Sequence, residues 1–301
     1  MSLTPSRWNK GLITAKAREL GAIAVGFSRA GEVDRAVRDA FDAWIKENRH
    51  ASMGYMARYR NVRFDSRLLL PGAMTVISMA FPYRPPGGYH HPLIADYALG
   101  KDYHIVIKER LSRLAEFIEE TTGAQSRICV DTAPILERYW AAKSGIGFIG
   151  RNRQLIVPGA GSGVFLAEIV TTLEIEPDRP ADISCDGCNR CIKACPGRAL
   201  ADGFDARKCL SYLTIEHRDE LPAGVKLGAH IYGCDECQRV CPHNRLEPPE
   251  PLEEFYPDHR LLRLDTETLT NLTGGDWKRL TKESAMRRIT LSRLLRNIKA
   301  R

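Results

Sequence analysis

The chain has 301 residues, 44% hydrophobic and 27% charged, with a formal net charge of +7. That composition excludes a disordered chain and suits one large or two modest folded domains. The longest apolar run, Ala73 to Phe81, is far short of the roughly 18 residues of a membrane span, and the polar start Met1 to Lys10 lacks the apolar core of a signal peptide, so the chain reads as cytoplasmic.

Residues 6–20 read as a helix, with Leu12, Ile13, Ala17 and Leu20 in a stripe and Gly21 at the C-cap position. Ala22 to Phe27 reads as a short buried strand and Val33 to Asn48 as a helix with Val37, Phe41, Trp44 and Ile45 on one side. Ala73 to Phe81 is a strand stopped by Pro82, followed by a loop through Pro85, Pro86, Gly87, Gly88, His90 and His91. Asp102 to Glu120 is the clearest helix, with Ile107, Leu111, Leu114 and Ile118 in register. Ser126 to Val130 is a strand, Pro134 to Ser144 a helix, and Gln154 to Val157 a strand. A glycine-rich hairpin turn, Gly159 to Gly163, leads into the strand Val164 to Thr171. Helices and strands alternate, and the hairpin points to a mixed sheet. Pro177 to Pro180 marks one boundary, and Pro248, Pro249 and Pro251 another before a short helical tail.

Nine cysteines stand at 129, 185, 188, 191, 195, 209, 234, 237 and 241, all but the first crowded between Cys185 and Cys241. A cytosolic chain keeps thiols reduced, so the cluster points to a metal site rather than to disulfides. Cys185-x2-Cys188-x2-Cys191-x3-Cys195-Pro196 has the spacing of the bacterial ferredoxin run, in which one tight loop offers three thiolates to a cubane and the fourth reaches a second cluster. Cys234-x2-Cys237-x3-Cys241-Pro242 is a second such run lacking one local cysteine, which Cys209 can supply. The crossing rule gives Cys185, Cys188, Cys191 and Cys241 to one 4Fe–4S cluster, and Cys195, Cys209, Cys234 and Cys237 to the other. The spacing favours clusters over structural zinc. Cys129, inside an apolar strand, reads as a buried thiol.

Two neighbouring clusters form an electron wire, and residues 1–180 should hold its terminus. Gly145-Ile-Gly147-Phe-Ile-Gly150 matches GxGxxG, but a helix precedes it and a strand follows, the reverse of the dinucleotide fingerprint, so it reads as a helix C-cap and turn. Asp131 ends a strand, Thr132 is a good N-cap and Pro134 lies in the first helical turn. A carboxyl there is placed either to act on a substrate or to cap the helix. At the far end, Trp277 to Arg301 holds nine Lys or Arg against one acid, Glu283, so the tail carries more than the whole net charge. Such a patch suits a polyanion. The alternative is a solvated amphipathic helix, because Arg287, Arg288 and Lys299 alternate with Ile289, Leu294, Leu295 and Ile298.

Several segments together resemble the epoxyqueuosine reductase family, the cobalamin and iron–sulfur enzymes of the last step of queuosine synthesis in tRNA. They are Gly100-Lys-Asp102-Tyr103-His104, Val130-Asp131-Thr132-Ala133-Pro134-Ile-Leu-Glu137-Arg138 and Gly145-Ile-Gly147-Phe-Ile-Gly150-Arg-Asn152. Tyr212-Leu-Thr-Ile-Glu-His217-Arg218, Tyr232-Gly-Cys234-Asp235-Glu236-Cys237-Gln238 and Cys241-Pro242-His-Asn244-Arg245 complete the set. The resemblance implies an α+β fold: a nitroreductase-like cobalamin-binding catalytic domain over residues 1–180, a ferredoxin-like module with two clusters over 181–246, and a basic helical tail over 247–301. Members continue past the equivalent of Leu294-Leu295-Arg296-Asn297 into helical repeats used partly for tRNA, whereas this chain stops at Arg301. The tail is then expected to help bind tRNA.

The implied reaction converts the substrate's epoxide to an alkene, taking in two electrons and two protons and releasing water. Cob(I)alamin opens the epoxide, and Asp131 matches the family's proton donor. To donate at neutral pH, Asp131 should have its pKa raised by burial. Asp235 and Glu236, between two ligands of one cluster, and Asn152 are candidate neighbours of the corrin. An external one-electron donor of the flavodoxin or ferredoxin type supplies the clusters. Two alternatives are a reductive dehalogenase, which shares the design but usually carries an export signal, and an electron carrier without chemistry, which leaves the whole first domain idle.

Overall fold

The computed structural model describes residues 5–85, 87 and 90–301; Met1 to Thr4, and Pro86, Gly88 and Tyr89 of the predicted proline–glycine loop, lie outside the described residues. Six strands are formed: β1 (Ala24–Arg29), β2 (Thr75–Pro82), β3 (Ser126–Cys129), β4 (Phe148–Ile149), β5 (Leu155–Ile156) and β6 (Val164–Thr171). Four of them make one sheet in the order β1-β2-β6-β3, and β4 pairs with β5 in a separate two-stranded sheet. β2 is rich in β-branched and apolar residues and is buried on both faces, as a central strand requires.

The expected mixed sheet is not what forms, because every pair in the four-stranded sheet is antiparallel. β2 and β3 do run the same way, as helix–strand alternation implies, but β6 inserts between them and pairs antiparallel with each. Nor do β5 and β6 form a hairpin. The glycine turn is closed by Val157 and Gly161, whose backbones bond each other, and the two strands then join different sheets.

Five helices flank the strands: α1 (Pro5–Glu19), α2 (Arg35–Lys46), α3 (Arg60–Phe64), α4 (Tyr103–Thr122) and α5 (Glu137–Lys143). α4 is defined by its ends. The Asp102 carboxyl accepts the His104 N–H at the start, and Gly123 takes φ +71° at the close. Its stripe Ile107, Leu111, Leu114 and Ile118 packs with α1 over Ile77, Met79, Phe81, Ala167 and Ile169. The alternate residues of the same strands face the other side, where Val76 and Val170 meet Tyr139 and Trp140 of α5. The result is a three-layer α+β domain.

The boundary at Pro177 to Pro180 is strapped to β1 rather than free. Asp178 accepts Lys10 at 2.6 Å and the Phe27 N–H at 3.0 Å, and its own N–H bonds the Phe27 carbonyl at 2.8 Å. Beyond it lie three short helices of the cysteine-rich segment, α6 (Arg190–Ala194), α7 (Leu210–Ile215) and α8 (Glu236–Arg239). That segment docks on the glycine turn through Asn244, whose Oδ1 accepts the Ser162 N–H at 2.6 Å; a Cβ on Gly161 would stand 2.0 Å from the same oxygen.

The C-terminal residues are not a separate tail. Leu261, Leu269, Trp277, Met286, Ile289 and Leu294 share a core with Leu93, Ile94, Leu99 and Tyr232. The terminal helix, Leu291–Lys299, is held to the end of α7 by its arginines. Arg296 donates to the carbonyls of Leu213 (2.9 Å) and His217 (3.0 Å), Arg293 to those of Ile215 and His217, and Arg288 to both oxygens of Glu216. In the tail expected to help bind tRNA, Arg293 and Arg296 are thus engaged with helix-end carbonyls and Arg288 with a carboxylate, while Arg287 and Arg288 keep about half of their side-chain surface exposed.

Candidate functional site: two thiol tetrads and an acid end

The two cysteine runs wrap α6 and α8, which pack against each other. Cys185, Cys188, Cys191 and Cys241 line one pocket together with Arg151, Asn152, Arg190 and His243. Cys209, Cys195, Cys234 and Cys237 form the second group, Cys237 lying close enough to the other three for their charges to interact. These are the two foursomes that the crossing rule gives. Backbone N–H groups already point at sulfur: Arg151 donates to Cys185 Sγ at 3.4 Å and Ala199 to Cys195 Sγ at 3.2 Å. Donors of this kind favour thiolate over thiol. Cys129 stands apart on β3, and burial followed by the nearby Glu168 pushes its thiol up to about 12, so it stays a thiol.

Asn152 is buried in the wall of the first pocket. Its Oδ1 accepts the Gln154 N–H at 3.1 Å, while Nδ2 has no protein partner among the described residues. A buried amide donor without a partner in a thiol-lined cavity fits a sulfide of a cluster. The glycines beside it are required by close approach: a Cβ on Gly147 would lie 2.3 Å from the Ile156 carbonyl, and Gly145 takes φ +78° after the last turn of α5. The GxGxxG match is thus a helix end and turn that carries Asn152 to the thiols.

Asp235 and Glu236 face inward contacts. Asp235 Oδ2 accepts the Asp96 N–H at 2.7 Å, and burial with the charge of Asp96 pushes its carboxyl up to about 6. Glu236 pairs with Arg239 at 2.9 Å and with His230 at 3.4 Å. Asp235 ties the second thiol group to the loop before α4, whereas Glu236 reaches only His230 and the Arg239 of its own helix, and neither is brought to Asp131.

Asp131 lies on the loop between β3 and α5, in the left-handed region at φ +51°, a position unusual for a residue with a side chain. It does not cap α5, which starts only at Glu137 with no side-chain cap, so the predicted start at Pro134 is corrected. Instead Asp131 Oδ2 accepts from His104 Nε2 at 3.1 Å, and Asp102 Oδ1 accepts from His104 Nδ1 at 2.8 Å. Asp102 Oδ2 in turn meets Arg287 Nε at 3.1 Å. Tyr103 is stacked between His104 and Phe165, with ring centroids 4.1 and 4.4 Å away, and fixes the imidazole plane.

The proton in this chain of charges sits on the imidazole. Burial lowers the pKa of His104, but the carboxylates on its two nitrogens overcome that and push it up to about 9. Asp131 is the converse case. Crowding pushes its carboxyl up, yet His104 outweighs this and, with Tyr103 and Arg138, holds it below the usual carboxylate range. The expectation that burial keeps Asp131 protonated is therefore corrected: its side chain is 54% exposed and hydrogen-bonded to a cation, so it is ionised at neutral pH.

The sequence motifs contain His104 and Glu137 without showing their roles, Arg287 reads there only as part of the basic tail, and Glu168 goes unmarked. The signal for His104 was its place two residues after the N-cap aspartate of α4, where one carboxylate reaches both its N–H and its ring. The signal for Glu168 was a lone acid in an apolar strand.

An α+β domain with an acid pair, joined to two thiol tetrads, defines an iron–sulfur oxidoreductase. The comparisons name its kind. Residues 63–132 match the family "Epoxyqueuosine reductase QueG, DUF1730", and residues 184–244 match a 4Fe-4S double cluster binding domain. Epoxyqueuosine reductase of Cellulophaga algicola is 39% identical over 299 residues, covering 95% of this chain and 96% of that one. The Salmonella typhimurium enzyme is 36% identical over 292 residues, covering 92% of this chain and 76% of that longer one. A crystal structure of epoxyqueuosine reductase with an epoxyqueuosine-modified tRNA-Tyr stem loop superposes with a TM-score of 0.89 at 28% identity, covering 97% of this chain and 80% of that one. The chain belongs to the epoxyqueuosine reductase family. Relatives of about this length carry the same name as those that continue further.

Proposed function

We propose that this chain reduces epoxyqueuosine in tRNA to queuosine, with two 4Fe–4S clusters and cobalamin as its cofactors. Two electrons and two protons enter, both carbon–oxygen bonds of the epoxide break, the oxygen leaves as water, and a carbon–carbon double bond forms between the two carbons that held it. The observation that carries the reading is near-full-length similarity to epoxyqueuosine reductases in a chain that also joins two thiol tetrads to a protonated imidazole–carboxylate pair.

Each thiol group holds one cluster, Cys185, Cys188, Cys191 and Cys241 the first, Cys195, Cys209, Cys234 and Cys237 the second. Asn152 Nδ2–H donates to the first cluster. An external carrier of the flavodoxin or ferredoxin type supplies single electrons. Cobalamin, when bound, supplies a strongly nucleophilic reduced metal centre that suits opening a strained epoxide. Asp131 and His104 face that reaction as one acid. The oxygen released from carbon needs a proton, and the Asp131 carboxylate is placed to pass on the proton that His104 holds. Tyr103 and Asp102 keep the ring in plane and doubly protonated. Asp235 holds the second cluster's loop against the rest of the site. The first domain reads as nitroreductase-like, and the chain as cytoplasmic; no described helix is long and apolar enough to cross a membrane.

The test is anaerobic reconstitution followed by incubation with an epoxyqueuosine-bearing stem loop and a chemical reductant, the nucleosides being read by mass spectrometry. Queuosine formed only when cobalamin is added is the expected result. Full cluster and cobalamin loading with no queuosine would overturn the reading.

A further inference from the structure

The face of the sheet beneath α5 carries a polar row in an apolar surround. Gly26, Ser78, Glu168 and Cys129 stand directly opposite one another across β1, β2, β6 and β3. At the edge of the row a Cβ on Gly26 would lie 2.3 Å from the Ser144 carbonyl, so only glycine lets the end of α5 settle this close. Glu168 is wholly buried, and among the described residues neither of its oxygens has a hydrogen-bond partner. The Ser78 hydroxyl beside it and Trp140 Nε1 above it are likewise buried without partners.

One turn before Trp140, Glu137 links the row to the site, its Oε1 accepting the Asp131 N–H at 2.5 Å. This bond pins the left-handed backbone of Asp131. Glu137 faces Asp131, His104, Arg138 and Arg63 on the site side and Glu168 and Cys129 on the sheet side. At Glu168, an unpaired carboxylate buried in this way would cost far more than a neutral acid, so the protonated form is favoured there. Burial, then the charge of Asp131, pushes Glu137 up to about 8, and burial, then Glu137, pushes Glu168 further in the same direction. A leucine would fill the Glu168 position without that desolvation.

The proposed reaction consumes two protons, and the Asp131–His104 pair presents one. We propose that buried Glu168 and half-buried Glu137 form a proton store that recharges the Asp131–His104 pair from the sheet side. The inference rests on the proposed role of that pair. In the transfer the O–H bond of Glu137 breaks as an O–H bond forms on the Asp131 carboxylate, and rotation of the Glu168 side chain, which no hydrogen bond among the described residues holds, then brings its O–H to Glu137, where that bond breaks as a new O–H forms. No electrons move, and one negative charge shifts inward. The unpartnered O–H of Ser78, opposite Glu168 in the register, is a donor that a small side-chain rotation would offer to the carboxylate left on Glu168. Solvent protons entering through half-exposed Asp131 refill the store between turnovers.

The experiment compares wild type, Glu168→Gln and Glu137→Gln as reconstituted holoenzymes on the epoxyqueuosine stem loop, with infrared spectra of each at neutral pH. Glutamine keeps the volume and, at 137, a carbonyl oxygen that still accepts the Asp131 N–H, but it carries no transferable proton. The expected result is a kcat about 10²-fold lower in both variants, near the low end for a positioned acid, with KM, iron content and cobalamin content unchanged. The carboxylic-acid carbonyl band of wild type at neutral pH should lose one component in Glu168→Gln and the other in Glu137→Gln. Normal turnover in either variant would overturn the store, and in Glu137→Gln it would leave Glu137 as a positioning residue for Asp131. Should Glu168→Gln fail to fold, the wild-type spectrum decides: a carboxylic-acid band supports the store, and its absence overturns it. An inactive wild type would instead indict the assigned reaction, since the infrared result stands apart from turnover.

Discussion

The electron end and the acid end of this molecule are built in opposite ways. All eight cluster cysteines lie in the single stretch from Cys185 to Cys241, and the tight turns that bring them together are written in their spacing. The acid end takes Asp102 and His104 from the start of α4, Asp131 from the loop after β3, Glu137 from α5, and Arg287 from the far C-terminal part of the chain. A cubane needs several thiolates a few ångströms apart, which one loop can provide. Proton handling needs a charge held against burial by its neighbours, and those neighbours arrive only when the chain has folded.

The largest expected effect sharpens the electron end. Cys209→Ser should lose one whole cluster, taking anaerobically purified protein from about eight irons to about four, while Cys129→Ser should leave iron unchanged. Equal losses in both would break the assignment of ligands. At the acid end, Asp131→Asn should keep both clusters yet slow turnover at least about 10²-fold, the lower bound for a positioned acid. Because Asp131 does not cap α5 but does hold the His104 cation, this variant should lose only the modest stability of that half-exposed pair. A large drop in Tm with near-normal turnover would assign it a structural role instead.

A smaller effect separates the C-terminal arginines from nucleic-acid binding. Arg293→Ala with Arg296→Ala leaves buried helix-end carbonyls without donors, at about 1–3 kcal/mol for each unsatisfied group. The expected outcome is a lower denaturation midpoint, with the salt dependence of stem-loop binding little changed. An unchanged midpoint with a flattened salt slope would return these residues to phosphate contact.

The smallest effect is a dependence of stability on pH. His104 has a folded pKa of about 9 against 6.5 unperturbed, so the stability it contributes is fully present below about 6.5 and is lost as pH rises toward 9. His104→Gln should flatten the stability curve in that window, as measured by denaturant titration at several pH values.

The sequence made much of this legible. The stripe and caps of α4, the central strand β2, both thiol runs and the special place of Asp131 can each be read locally. What it could not carry was order in space. β6 inserts between β2 and β3 because of a register set by side chains distant in the chain, with Ile77 opposite Ile169 in one pair and Ser78 opposite Glu168 in the next. The protonation of Asp131 was misjudged for the same reason, since its sign depends on His104, which belongs to a different element. The basic tail shows the same limit, because composition counts charges without showing that Arg288 meets Glu216 or that Arg296 meets the carbonyl of Leu213.

The central claim is that the site's proton rests on His104, held there by carboxylates on both nitrogens. The direct measurement is a titration of ring-labelled histidine by NMR, with the His104 signal assigned from its absence in His104→Gln. The account expects His104 to titrate near 9 and to fall toward the ordinary histidine range in Asp131→Asn. A wild-type midpoint at or below 6.5 would contradict it, because the imidazole would then be neutral at working pH and the proton would have to reside elsewhere.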